Sequence, residues 1–186
     1  MTPKYDVDWA ARAAEDPRTK FLFFWGHQIR PDGVLTDSVF SQWYPAPFTL
    51  DGIRYPTVEH WMMAEKARLF ADPETLGQIL ATDSPGKAKA LGRTVRGFDQ
   101  TVWKGAAYQI VLVGSRAKFD QNPDLGDYLR KTGRKILVEA SPQDAIWGIG
   151  LARDHEDARE PILWPGTNLL GFALMELRDE LQESPT

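Results

Sequence analysis

Apolar positions come in short bursts before residue 56 of this chain and in helical stripes after it. Phe21-Leu22-Phe23-Phe24-Trp25 is a compact apolar run stopped by Gly26, the pattern of a buried strand. Arg30-Pro31-Asp32-Gly33 has turn chemistry, because proline presets φ at the second position and glycine accepts a positive φ. Phe48-Thr49-Leu50 and Ile53-Arg54-Tyr55 flank Asp51-Gly52, which predicts a hairpin with a two-residue turn. After Pro56 the period changes. Thr57 is a good N-cap, and Val58 to Phe70 runs without glycine or proline, with Glu59 and Glu65 ahead of Lys66 and Arg68. Asp72-Pro73 and Ser84-Pro85 each open a further helix, the second continuing through Leu91 and closed by Gly92. Asp99 caps a long helix whose apolar stripe is Val102, Trp103, Ala106, Ile110, Val113 and Ala117. Asn122-Pro123 starts a short helix ending near Gly133, residues 135–139 form a strand, and residues 169–181 form a C-terminal helix. Residues 1–20 are polar and mixed, with Pro3 and Pro17, and are expected to be a partly ordered arm holding one helical turn. The expected class is α+β, predominantly helical: one compact domain over residues 21–182 with a small β-sheet or hairpin in its N-terminal third.

Composition narrows the chemistry. Hydrophobic residues make up 42% and charged residues 26%, an ordinary globular balance that allows a real core. Seven tryptophans, nine phenylalanines and five tyrosines exceed what a core of this size needs, and rings also stack on flat ligands, so a binding cleft is expected. The absence of cysteine excludes disulfides, thiolate metal sites and a cysteine nucleophile. His27, His60 and His155 stand far apart without an HxxxH pair, so neither a metal nor another cofactor is expected. The N-terminus has no apolar core of a secretory signal, and no apolar stretch approaches the ~18 residues of a membrane helix. A net charge of −4 lacks the basic field of a general nucleic-acid binder, leaving only a local group of Lys87, Lys89, Arg93 and Arg96. The expectation is a cytoplasmic protein with a small-molecule ligand and no membrane partner.

Three constellations stand out. Glu59, Met62, Met63 and Lys66 share one helix face at spacings of three, four and seven. Charged helix residues are most often solvated, so one account puts Glu59 and Lys66 at the edge of a buried stripe, paired with other charges. The other places an acid and an amine on one wall of a ligand pocket. Asp144-Ala-Ile-Trp147-Gly148-Ile-Gly150 sets an acid just before a ring beside two glycines that permit close backbone approach, which also describes an ordinary turn under a tryptophan. Trp164-Pro-Gly-Thr-Asn168-Leu-Leu-Gly171 precedes the last helix. Asn168 suits a cap there, and helix-start N–H groups suit a phosphate. The glycine spacing matches neither a P-loop nor a dinucleotide fingerprint.

Taken in order, these fragments resemble a known family. Phe40-Ser41-Gln42-Trp43-Tyr44-Pro45, Asp51-Gly52, Tyr55-Pro56-Thr57-Val58-Glu59-His60-Trp61, Ala64 and Lys66-Ala67 look like the core of the YbiA-like (NADAR) family. Gly92-Arg93, Phe98, Trp103, Lys118-Phe119, Asp144, Trp147-Gly148, Gly166 and Asn168-Leu-Leu-Gly171 follow in the expected order, from about Phe21 to Leu181. Trp61-Met62-Met63 replaces the aromatic and glutamine usual after the Glu-His pair, and residues 151–163, with Arg153, Asp154, His155, Glu156, Asp157 and Arg159, are longer and more charged than the minimal pattern.

The resemblance implies hydrolysis of an N-glycosidic bond without a cofactor. Two substrate classes go with it: phosphoribosylamino-pyrimidine intermediates of riboflavin synthesis, releasing ribose 5-phosphate, and ADP-ribose attached to guanine of nucleic acid. Glu59, Lys66 and Asp144 are the catalytic candidates, with Lys66 as a Schiff-base nucleophile and Glu59 as its proton shuttle. Phe24, Ser41, Trp43, Met62, Met63, Arg93, Trp103, Trp147, Gly148 and Asn168 are the substrate-binding candidates. The methionines would supply apolar surroundings for the amine, and Glu59, Lys66, Trp103, Asp144 and Trp147 would converge on one cleft. A non-catalytic nucleotide-binding module and a helical adaptor are the competing accounts. The first does not need Glu59 and Lys66 on one face, and the second leaves the aromatic excess without a use.

Overall fold

A computed structural model describes residues 3–183. In chain order the regular elements are α1 (Val7–Ala14), β1 (Phe21–Phe24), β2 (Phe48–Leu50), β3 (Ile53–Tyr55), α2 (Val58–Leu69), α3 (Pro73–Leu80), α4 (Pro85–Gly92), α5 (Gln100–Gln121), α6 (Pro123–Arg130), β4 (Ile136–Glu139) and α7 (Leu169–Glu183). Helical turns hold 51% of the described residues and the strands are few and short, so the class is α+β, predominantly helical. The backbone contacts group into two compact units, residues 42–123 and the described residues on either side of that span.

Residues 42–123 hold the hairpin and α2 to α5. Asp51 and Gly52 both take positive φ, 50° and 76°, which closes β2 on β3 in the register Phe48↔Tyr55. As the change of period at Pro56 implies, the hairpin leads straight onto α2. Tyr55 meets Trp61 edge-on at 5.2 Å, and its hydroxyl accepts from Arg68 Nη2 at 2.9 Å. Each helix start uses the cap expected of it: Thr57, Asp72, Ser84 and Asp99 accept from backbone N–H groups of the first turn.

Two expectations need correction. Gly92 does not close α4 from outside but is its last residue, with Arg93 as C-cap. A Cβ on Gly92 would stand 2.0 Å from Met63 Sδ, so the glycine serves helix contact with α2 rather than a left-handed turn. The face of α5 is also rotated. Its deeply buried residues are Ala107, Tyr108, Val111, Leu112, Ser115, Ala117, Lys118 and Phe119, whereas Val102 is exposed. Both stripes carry helical spacing, and packing selects the one that sets Gly114 against Trp61.

The other unit is built on β1 and β4, paired in parallel with Phe21 opposite Ile136 and Phe24 opposite Glu139. α7 packs on β4. Phe24 and Phe40 meet edge-on at 5.5 Å, and Phe40 lies 5.7 Å from Tyr128. Residues 7–14 form a helix capped by Asp6, longer than the single turn anticipated for the N-terminal arm. The charged segment after Leu151 folds into two short 3-10 turns, Glu156–Arg159 and Pro161–Leu163, pinned where Trp164 Nε1 donates to Ala158 O at 2.9 Å.

Candidate active site

The first turn of α2 places Glu59. Thr57 Oγ1 accepts from His60 N–H and lies 2.8 Å from His60 Nδ1, and Glu59 N–H donates to Gln42 O at 3.0 Å. These bonds hold residues 42–44 against the helix start. Trp43 Nε1 thereby reaches Glu59 Oε2 at 3.1 Å, and the glutamate is only 2% exposed. Lys89 Nζ lies over the Trp43 ring, 5.7 Å from its centre. His60 is buried, and desolvation lowers its pKa while a Thr82 backbone contact and Asp83 oppose the shift.

Two turns on, Lys66 is enclosed differently. Its Nζ donates to Gly92 O at 2.7 Å and stands 4.1 Å from the Phe98 ring centre and 5.6 Å from that of Trp103. Phe70 meets Phe98 edge-on at 5.4 Å and holds that ring in place. Burial of the amine lowers its pKa. Seven residues of helix separate Glu59 from Lys66 by about 10 Å along the axis, and among the described residues no ion pair joins them. The edge-pairing account of these charges therefore does not describe Lys66. Met62 and Met63 are both buried, and Met63 seats Gly92, whose carbonyl accepts from the lysine amine. The rings nearest the amine are Phe98 and Trp103. Spacing alone gave Phe98 no site role, although it lies within the family pattern; its signal was an aromatic just ahead of a capped helix start.

The same unit holds Arg93, exposed at the end of α4. The basic group around it is smaller than the sequence implies. Arg96 is engaged by Asp72 at 2.7 Å and Glu74 at 3.2 Å, and the Arg96 contacts hold the Asp72 carboxyl far below the usual range. Lys118 is a further lysine, outside the candidates that spacing suggests. It is 1% exposed, its amine lies over the rings of Tyr44 and Phe119 at 5.5 and 5.1 Å, and burial lowers its pKa to about 7. Its place beside Phe119 among the family fragments was the available signal.

Asp144, Trp147, Gly148, Asn168, Phe24 and Ser41 belong to the other unit. Asp144 Oδ1 accepts from the N–H groups of Ile146 and Trp147 at 2.9 and 2.8 Å, while Oδ2 has no hydrogen bond to any described residue. The glycines do allow close backbone approach. A Cβ on Gly148 would lie 2.7 Å from Glu139 O, and Gly150 has φ of 73°. Asn168, fully buried at φ 51°, has its amide engaged by β4: Oδ1 accepts from Glu139 N–H at 3.0 Å and Nδ2 donates to Leu137 O at 2.9 Å. Its side chain thus pins the strand instead of capping α7. Phe24 and Ser41 are buried, and Trp147 is half-buried. Among the described residues no three His, Asp or Glu side chains gather as metal ligands, and no helix is long and apolar enough to cross a membrane.

Comparison with known proteins decides what this geometry belongs to. The NADAR domain matches residues 23–182. The chain belongs to the NADAR family. It is 44% identical over 169 residues to N-glycosidase R617 of Acanthamoeba polyphaga mimivirus, covering 88% of this chain and 98% of that one. N-glycosidase YbiA of Escherichia coli is 34% identical over 142 residues, with 76% of this chain and 80% of that one aligned. The NMR structure of E. coli YbiA superimposes with a TM-score of 0.69 at 28% identity, covering 94% of this chain and 92% of that chain. A stretch of the riboflavin biosynthesis protein PYRR of Zea mays is 34% identical over 138 residues, 70% of this chain and 20% of that protein. Within the family pattern, Trp61 of the unusual Trp61-Met62-Met63 run serves the packing of the helices, since its Nε1 donates to Ile110 O at 2.8 Å and fastens α2 to α5.

Proposed function

We infer that this chain is an N-glycosidase acting on a ribosylated base, and we propose phosphoribosylamino-pyrimidine intermediates of riboflavin synthesis as its substrates. Membership of the family and likeness to named N-glycosidases support the reaction class. The likeness to PYRR, whose own name is a riboflavin biosynthesis protein, supports the substrate. The observation that carries the chemistry is the Lys66 amine, half-buried under Phe98 and Trp103, with its proton affinity reduced by burial.

Breaking a C1′–N bond builds positive charge on the sugar and negative charge on the departing base. A glycosylamine opens to an imine at C1′. The lone pair of neutral Lys66 attacks that carbon, the C1′–N bond to the base breaks, and the base leaves with a proton. The lysine–C1′ imine then takes up water, which returns the free amine and releases the sugar as its aldehyde. Because no bond joins Glu59 to Lys66, Glu59 is assigned to the substrate, protonating the leaving nitrogen, with the Trp43 indole holding one carboxylate oxygen. Asp144, with Oδ1 fixed and Oδ2 outside any hydrogen bond to a described residue, is a separate assignment, to sugar hydroxyls or to water. The direct test is to incubate the purified chain with the phosphoribosylamino-pyrimidine and detect ribose 5-phosphate by mass spectrometry. No release of sugar would overturn the substrate.

A second reading, removal of ADP-ribose from guanine, is favoured by Lys89 over the Trp43 ring and by Arg93, which has no ion pair to any described residue. It predicts sugar release from ADP-ribosylated oligonucleotide, falling steeply with salt.

A further inference from the structure

The turn between α4 and α5 carries Phe98 over the Lys66 amine, and very little holds it there. Its bonds back into α4 end at Thr94, whose N–H and Oγ1 donate to Leu91 O at 2.9 and 2.8 Å. The cap of α5 begins at Asp99. Between them, residues 95–98 make one backbone hydrogen bond to the described residues, from Arg96 N–H to Asp72 Oδ2 at 3.0 Å. Val95 is buried and seats the first half of the turn, but Phe98 is 45% exposed and burial does not fix its ring.

Asp72 is built to hold the turn. It is 1% exposed, and each carboxylate oxygen accepts twice. Oδ1 takes Thr75 N–H at 3.2 Å and Arg96 Nη2 at 2.7 Å. Oδ2 takes Thr75 Oγ1 at 2.8 Å and the Arg96 N–H. One partner makes the α3 cap, and the other grips the turn. Glu74 Oε2 adds a contact to the same guanidinium at 3.2 Å. Just before Asp72, Ala71 takes φ 51°, and the N–H groups of Ala71 and Asp72 donate to Arg68 O and Ala67 O at 3.1 and 2.9 Å. A left-handed alanine is unfavourable and persists only where its surroundings hold it. Its two neighbours grip the same turn, Phe70 by meeting Phe98 edge-on at 5.4 Å and Asp72 through Arg96. Gly97, at φ 69°, brings the backbone between them so close that a Cβ there would lie 3.6 Å from Phe70 O.

We propose that Asp72 is a positioning residue, which through the Arg96 turn fixes the Phe98 ring over Lys66, limits the water reaching the amine and keeps it reactive. Its consequence for turnover rests on Lys66 as the nucleophile. Burial alone lowers the Lys66 pKa; neither Glu59, Glu65 and Arg68 on α2 nor Arg93, Arg96 and Lys104 at α4, the turn and α5 shift it. The roof therefore decides it.

Trace acetylation of the full chain with acetic anhydride across pH, read at Lys66 by peptide mass spectrometry, measures the neutral amine without any substrate. Asp72→Asn keeps a good helix cap but puts an amide donor where Oδ2 accepted from Arg96. Its Lys66 labelling midpoint should move up toward the ordinary 10.5, as in Phe98→Ala. Arg96→Ala retains the backbone N–H and should move it less. In the Phe98→Ala chain, Asp72→Asn should add nothing, because both act through one ring. With substrate near neutral pH, Asp72→Asn should lower kcat by about tenfold or more with a smaller change in KM, the deficit narrowing as pH rises. Circular dichroism checks folding, and if Asp72→Asn does not fold, Arg96→Ala, an exposed side chain, carries the test. An unmoved midpoint in the folded variant overturns the proposal, as does a full second shift on top of Phe98→Ala. A moved midpoint with unaltered turnover upholds the positioning and removes Lys66 from the chemistry instead.

Discussion

An amine enclosed by two rings and tied to a backbone carbonyl differs from a surface lysine in one respect that matters here: more of it is neutral near neutrality. Lys66→Arg keeps charge and bulk but cannot form an imine, so turnover should fall by at least ~100-fold. Borohydride added during turnover should label wild type with sugar and leave the variant unlabelled; equal turnover with no label would rule out the covalent route. The pH dependence has a definite sign. Burial lowers the Lys66 pKa, so the neutral fraction grows as pH rises through a value below the ordinary 10.5. Phe98→Ala admits water to the amine, raises that pKa, and should move the rising limb of kcat to higher pH. Lys118 gives a matching stability prediction. Its folded pKa, about 7, lies below its unfolded value of 10.5, so the unfolded chain holds more protons between them. Stability is therefore lost as pH falls from about 10.5 to about 7 and stays level below that. Lys118→Met should remove that slope in urea denaturations run across this range. At this scale residue types were legible from spacing, whereas the enclosure was not. Lys66 and Phe98 are thirty-two positions apart, and only the turn after α4 brings them within 4.1 Å.

The starts of α2 to α5 could be read from sequence because a cap is a local bond: Thr57, Asp72, Ser84 and Asp99 sit beside the N–H groups they satisfy. The hairpin was equally legible, since Asp51-Gly52 encodes its own turn. Which face of α5 goes inward was not, because it depends on what lies opposite. A Cβ on Gly114 would stand 2.2 Å from Trp61 Cδ1, and the indole is held by Tyr55 on one side and Ile110 O on the other. Gly114→Ala should therefore destabilise the protein by about 1–3 kcal/mol in urea denaturation, as overpacking does. Gly92→Ala meets Met63 Sδ at 2.0 Å, a longer and more flexible side chain. It should cost less stability but displace the carbonyl that orients Lys66, so kcat should fall more than KM rises.

For the molecule as a whole, composition set limits that no arrangement can lift. With no cysteine and three scattered histidines, turnover should be unchanged by a strong chelator; restoration by added zinc or magnesium after loss would show a carboxylate metal site. The ordered series of family fragments likewise needed no coordinates, and the match over residues 23–182 bears it out. By itself, then, the sequence determined the class, the starts of α2 to α5, the hairpin and the family, because caps, turns and apolar periods are short-range and repeat their signal locally. Tertiary structure decided the pairing of β1 with β4, the inward face of α5, the use of Asn168 to pin β4, and the half-buried setting of Lys66 beside Phe98. Each of these depends on which groups meet across long stretches of chain, and burial changes a group's chemistry only once those partners have excluded water from it.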